Sequence, residues 1–141
     1  MNFPKIVFLA LSLTLIGSAC NTQKPNTQTF DTSNMMIRIA ELEIDASSLD
    51  NYLAILKEEA EASVRLEPGV ICIYPMFEKE NPTEIRLLEI YVNKDAYEAH
   101  LLTPHFKKYK SSTLEMVKSL NLIDMKALDQ ETMTQIFRKL P

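Results

Sequence analysis

Glycine and tryptophan are the scarcest features of this chain. Its 141 residues include two glycines, Gly17 and Gly69, and no tryptophan. Glycine-rich phosphate loops and dinucleotide fingerprints need several glycines close together, because only a backbone without Cβ makes their turns and lets a phosphate approach; both are excluded. Histidine and cysteine are equally sparse. His100, His105, Cys20 and Cys72 make no recognisable zinc spacing, so no metal site is expected. There is no Gly-x-Ser-x-Gly elbow. Positive charge is also short, with 15 Lys+Arg against 19 Asp+Glu. An acidic chain without a basic cluster is a poor partner for nucleic acid, whose affinity comes largely from neutralised phosphates.

Long apolar runs are absent too. Ile6 to Ile16, after Lys5, is the apolar run at the N-terminal end, and it is too short to span ~30 Å of hydrocarbon. Gly17, Ser18 and Ala19 follow it and lead into Cys20. Residues 1–19 therefore read as a secretory signal rather than a transmembrane helix. A cysteine directly after small residues resembles a bacterial lipoprotein signal with Cys20 as the lipidated residue, although Gly17 stands where such signals usually carry leucine. Ordinary cleavage beside a free Cys20 is the alternative. Lipidation implies a membrane anchor and a place in the bacterial cell envelope, outside the cytoplasm. Loss of Lys5 takes the formal charge from −4 to about −5. Residues 20–34 hold that cysteine and a polar, Thr- and Asn-rich stretch that reads as a flexible tether. What remains is enough for one small domain, 35–128, and an extension, 129–141. Cys72 lies in an apolar strand pattern and reads as a small buried residue; with Cys20 lipidated, no intramolecular disulfide is available.

The pattern of the domain alternates between periods of two and of 3.6. Met36 to Ile44 alternates as a strand, with a phase change between Ile37/Ile39 and Leu42/Ile44 that a bulge or a second buried face would explain. Ser47 to Leu66 reads as a helix with Leu49, Leu53, Leu56, Ala60 and Val64 on its apolar face and Lys57 to Glu61 on a solvated one. Ser47 with Asp50, or alternatively Asp45, caps it, and Pro68-Gly69 stops it. Val70 to Phe77 and Glu84 to Val92 form a hairpin of strands. A short helix, Lys94 to Leu101, follows the cap residue Asn93, with Ala96, Tyr97, His100 and Leu101 inward. Thr103-Pro104 starts another, with Phe106, Tyr109, Thr113, Met116, Val117 and Leu120 as its stripe. Asn121 to Leu128 is the fourth strand. The order β-α-β-β-α-β gives the fold class: α+β, ferredoxin-like, with a four-stranded antiparallel sheet. Arg86, Leu88, Ile90 and Val92 share one face of the third strand; Ile85, Leu87, Glu89 and Tyr91 share the other. Neither face is polar enough for water and the helices can cover only one, so a homodimer is expected. In the extension, Met133, Ile136, Phe137 and Leu140 recur at helical spacing, as either a packed short helix or a frayed end.

Glu67-Pro68-Gly69, Tyr74, Glu89-Ile90-Tyr91, and His100 followed by Thr103-Pro104-His105-Phe106 occur in an order that resembles the antibiotic biosynthesis monooxygenase (ABM) family. The resemblance spans about residues 36–128. It implies that two copies pair their sheets into a dimeric α+β barrel, each keeping a pocket between its sheet and its helices. It also implies a cofactor-independent monooxygenase acting on quinol-like or polyphenolic small molecules, with no cofactor. Such chemistry needs a base near neutral pH, which suits histidine, donors around the resulting anion, and an apolar volume for oxygen. The catalytic candidates are His100, Glu89 and Tyr91. Candidates for holding substrate are Tyr74, Arg38, Arg86, Tyr97, Phe106 and His105, and Ile37, Ile39, Leu87 and Met76 could add apolar lining. Each also has a plainer reading: His100 bonded to backbone, His105 structural or exposed, Glu89 paired with Arg86 or Arg38, the tyrosines as sheet packing. Two other functions stay open, a non-catalytic dimeric module for a small ligand and a haem-binding or haem-degrading protein.

Overall fold

The structure, a computed structural model, describes residues 32–129. The expected signal, lipidated Cys20, tether and C-terminal extension fall almost wholly outside them. No helix among the described residues is long and apolar enough to cross a membrane.

Seven main elements follow the expected order: β1 (Met36–Ile44), α1 (Leu49–Leu66), β2 (Val70–Phe77), β3 (Glu84–Tyr91), α2 (Lys94–His100), α3 (Pro104–Thr113) and β4 (Val117–Met125). The four strands form one antiparallel sheet ordered β2-β3-β1-β4, the ferredoxin-like arrangement. Register sorts the side chains. Ala40, Leu42 and Ile44 of β1 join Ile85, Leu87 and Tyr91 of β3, Ile73 of β2, and Tyr52, Leu56 and Ala60 of α1 in one core. The phase change in β1 now has a cause. Arg38 takes an inward position, in register with Glu89, while Ile37 and Ile39 lie half-buried on the opposite face. The β1–β4 pairing does carry an irregularity, at Glu43/Ile44, beyond the place where the phase changes.

Three expectations need correction. The fourth strand begins at Val117 rather than Asn121 and ends at Met125. Helix α3 stops at Thr113, so Met116, Val117 and Leu120 do not extend its stripe. Val117 to Met125 instead pairs along the whole of β1 from Ile37 to Ile44, and a full ladder of backbone hydrogen bonds outweighs the helical periodicity of a few apolar residues. In α1 the buried face is Tyr52, Leu56, Glu59, Ala60 and Ser63; Val64 is 48% exposed. Glu59 belongs to the interior, not to a solvated face.

Candidate functional site

A cavity of about 430 Å³ lies between the helix-covered face of the sheet and the three helices. Arg38 of β1, Leu87, Glu89 and Tyr91 of β3, Glu59 of α1, Tyr97 and His100 of α2, and Phe106 and Tyr109 of α3 line it. Local sequence places each of them. The Asn93 side chain accepts a hydrogen bond from the Ala96 N–H at 2.8 Å, starting α2. Thr103 Oγ1 accepts from the Phe106 N–H at 3.3 Å and donates to the His100 carbonyl at 2.8 Å, tying the start of α3 to the end of α2. Pro68 holds Glu67 out of helical geometry, because its ring clashes with an αR residue before it. Glu67 accordingly ends α1 in an extended conformation (φ −106°, ψ 107°).

Glu67 and His100 then meet. His100 Nδ1 lies 3.0 Å from Glu67 Oε1, and His105 Nε2 lies 2.5 Å from the same oxygen. On the other side of the ring, His100 Nε2 is 3.7 Å from Glu59 Oε1, which accepts a hydrogen bond from Ser63 Oγ at 2.7 Å. The His100 imidazole also packs edge-on to Phe106, with centroids 4.7 Å apart, and tilts against Tyr91 at 5.5 Å. In the neutral tautomer that donates its Nδ1 proton to Glu67, the ring has Nε2 as its acceptor, on the side of Glu59.

The carboxyl groups divide by environment. Burial pushes Glu67 up, but hydrogen bonds from both histidines outweigh it, and the net shift is down. Glu67 is therefore the anion between the two imidazoles. Burial raises Glu59 and Glu89 above the usual carboxylate range, against opposing contributions from Ser63 and His100 at Glu59 and from Tyr91, His100 and Arg38 at Glu89. Tyr91 donates its hydroxyl to Glu89 Oε2 at 3.1 Å, and burial raises its phenol and that of Tyr109. Both phenols stay protonated at neutral pH; Tyr91 donates to Glu89, and the Tyr109 and Tyr52 hydroxyls share a hydrogen bond of 2.8 Å. The Arg38 guanidinium is held by Asp124 at 2.6 and 2.8 Å and lies over the Tyr97 ring, 4.7 Å from its centroid.

Of the nine expected active-site residues, six line the cavity: His100, Glu89, Tyr91, Arg38, Tyr97 and Phe106. His105 stands behind His100, reaching it through Glu67. Tyr74 and Arg86 are directed to the other face of the sheet, as their pairing positions with Leu88 and Met76 require. Tyr74 is 60% exposed there, and Arg86 is bound by Glu78, Glu84 and Glu41. Ile37, Ile39 and Met76 share that outer face and do not line the cavity, whereas Leu87 does. Two residues escaped the sequence reading, Glu59 and Glu67. The spacing Tyr52, Leu56, Glu59, Ser63 was the available signal for the first, and the turn imposed by Pro68 for the second. A larger groove of about 730 Å³ between α1 and β2 has neither histidine nor tyrosine in its lining.

A ferredoxin-like sheet with a histidine–carboxylate pair at a mostly apolar cavity defines a small α+β protein. Comparison with known proteins gives the family. The family model described as antibiotic biosynthesis monooxygenase matches residues 35–112, and a candidate antibiotic biosynthesis monooxygenase from Bacteriodes thetaiotaomicron is 50% identical, with a TM-score of 0.69 over 70% of this chain and 93% of that one. The chain belongs to the antibiotic biosynthesis monooxygenase family. A candidate monooxygenase from Lactobacillus acidophilus is 31% identical over 64% of this chain and 43% of its own, with a TM-score of 0.63. A Nitrosomonas europaea protein at 19% identity shares the fold, with a TM-score of 0.64 over 67% of this chain and 91% of its own. No functionally curated protein matches the chain.

Proposed function

We propose that the protein is a cofactor-independent monooxygenase of quinol-like or polyphenolic small molecules, with His100 as its base. The observation that carries this is the pairing of His100 with Glu67 at the cavity wall, which orients the ring. In the reaction, His100 Nε2 takes a hydroxyl proton from the bound quinol. The Arg38 guanidinium and Tyr97 line the same cavity and are the donors for the resulting anion, while Tyr91 is engaged with Glu89. The anion passes an electron to molecular oxygen, and recombination forms the new carbon–oxygen bond. One oxygen atom enters the ring and the other leaves as water, so quinol and oxygen give a hydroxylated quinone and water. The substrate supplies all four electrons, and no external reductant is needed. Leu42, Leu87, Leu101 and Phe106 supply the apolar volume such a step requires.

The test is oxygen uptake by the purified protein with a panel of quinols, beside His100→Ala. Uptake that falls at least ~100-fold in a folded mutant supports a histidine base. Absence of uptake in both moves the assignment to a non-catalytic ligand-binding module using the same cavity. The haem reading draws less support, because His105 does not line the cavity and both ring nitrogens of His100 face carboxylates. A hemin titration without a Soret shift would remove it.

The homodimer belongs to the same proposal. The open face of the sheet carries Ile37, Ile39, Leu88, Tyr74, Met76, Ile123 and Met125, and the helices cover the opposite face. A second copy would cover it, as expected for an isologous pair. Lipid anchoring at Cys20 in the cell envelope is likewise proposed; palmitate labelling that survives Cys20→Ser would refute it.

A further inference from the structure

We infer that Glu67, His100 and His105 form a binding site for one divalent transition-metal ion of the zinc class. One ligand atom from each residue lies within 4.8 Å of the others, and Glu67 Oε1 touches both His100 Nδ1 and His105 Nε2. They come from three separate places in the chain: the end of α1, the end of α2 and the first turn of α3. Two imidazoles and one carboxylate are the donor set that zinc takes at three-ligand sites with an open fourth position. Tetrahedral ligands at ~2.0–2.1 Å from zinc stand roughly 3.3 Å apart. The present separations from the shared oxygen, 3.0 and 2.5 Å, are those of hydrogen bonds. Side-chain rotation that opens the His100 separation by about 0.3 Å and the His105 separation by about 0.8 Å gives ligand spacing, and the second carboxylate oxygen offers an alternative donor.

One observation outside the three ligands favours a cation. A metal-binding histidine usually donates its other ring N–H to a carboxylate, and Glu59 Oε1 already stands 3.7 Å from His100 Nε2, fixed by Ser63. His105 gives the site its entrance, with 18% of its side chain exposed against 4% for His100.

Metal on Nδ1 leaves the His100 proton on Nε2, where it faces Glu59 and the cavity. A ring in that state cannot accept a proton from a quinol. Zinc would thus block the base, a consequence that rests on the proposed monooxygenase reading; binding itself does not.

The experiment is a calorimetric titration of zinc chloride into the purified protein after chelator treatment and desalting, read without any activity assay. One zinc per chain with micromolar or tighter affinity is expected. His105→Ala, at a partly exposed position, should keep the fold by circular dichroism and weaken binding more than the ~10- to 100-fold that loss of an outer partner costs. Glu59→Gln, which alters that outer partner, should fall within that range. No saturable binding at submillimolar zinc overturns the assignment. Binding that survives His105→Ala overturns it equally, because the ion would then sit elsewhere, at Cys72 or on surface carboxylates.

Discussion

The steric demand of Pro68 on its neighbour turns Glu67 away from α1 and sets its carboxylate between His100 and His105. Glutamine at that position keeps an oxygen that can accept from both rings but removes the negative charge that stabilises an imidazolium. Glu67→Gln is therefore expected to lower kcat for oxygen uptake on the order of 100-fold with KM little changed. Steady-state kinetics check this, and a change confined to KM would mean that the carboxylate places substrate rather than the base. Glu89 presents the opposite case. Burial raises its carboxyl against the favourable influence of Tyr91, His100 and Arg38, with Glu59 adding to the rise. The native state then holds its proton at a pH where the unfolded chain has released it, so this group's contribution to stability falls as pH rises from the ordinary carboxylate range through its raised value. Glu89→Gln lacks that penalty, and glutamine can still accept from the Tyr91 hydroxyl. Its urea midpoint should match the wild type at low pH and exceed it at neutral pH and above. A variant no more stable at pH 8 than the wild type would disprove the account. His100, Glu89 and Tyr91 were legible in the sequence because helical and strand periodicity fixes which residues share an inward face. Glu59 was not, since a glutamate beside Lys57 and Glu58 reads as solvated until the sheet shows which way α1 is rolled.

At the level of elements, α2 is short and depends on its ends. Its cap Asn93 satisfies the Ala96 N–H, and Asn93→Ala should cost ~1 kcal/mol of unfolding free energy. Gly69 matters for a reason other than backbone freedom. No residue in the described part of the chain has a positive φ, but a Cβ at Gly69 would lie 2.5 Å from the Ala96 Cβ, on the first turn of α2. Gly69→Ala must push α2 from β2, with an overpacking cost of ~1–3 kcal/mol. Because α2 ends in His100, the displacement should lower oxygen uptake as well as the thermal midpoint. A fully active, equally stable Gly69→Ala protein would show that α2 shifts freely. The first three strands and the first two helices could be read from periodicity, capping and the Pro-Gly stop. The fourth strand could be read from Asn121 on, but its first residues could not: Val117 and Leu120 continue an apolar spacing that suits α3, and only pairing with β1 decides between helix and strand there. The register also explains why Arg86 and Tyr74 miss the cavity: in a strand, one position along is the opposite face.

For the molecule as a whole, a sheet with an apolar stripe on each face has a surface to cover. The inward stripe meets α1, α2 and α3; the outward one runs from Tyr74 and Met76 across Leu88, Ile37 and Ile39 to Ile123 and Met125. Several of these residues are more than a third exposed: Tyr74, Met76, Ile123 and Met125. The strand pattern of Glu84 to Val92 already implied two apolar faces, and the pairing registers now show which residues share the outer one. Leu88 is the sharpest probe, because it pairs with Ile39 on one side and Tyr74 on the other, at the middle of the stripe. A two-fold interface meets every substitution twice. An uncompensated charge buried there costs ~3–5 kcal/mol in each copy, which weakens the dimer by at least ~10⁴-fold. Leu88→Glu should therefore convert a dimer into a folded monomer by analytical ultracentrifugation, with its far-ultraviolet circular dichroism unchanged, because the substituted side chain points away from the core around Leu87 and Tyr91. A wild type that sediments as a monomer would overturn the dimer, and a Leu88→Glu protein that stays dimeric would place the contact between copies on another surface.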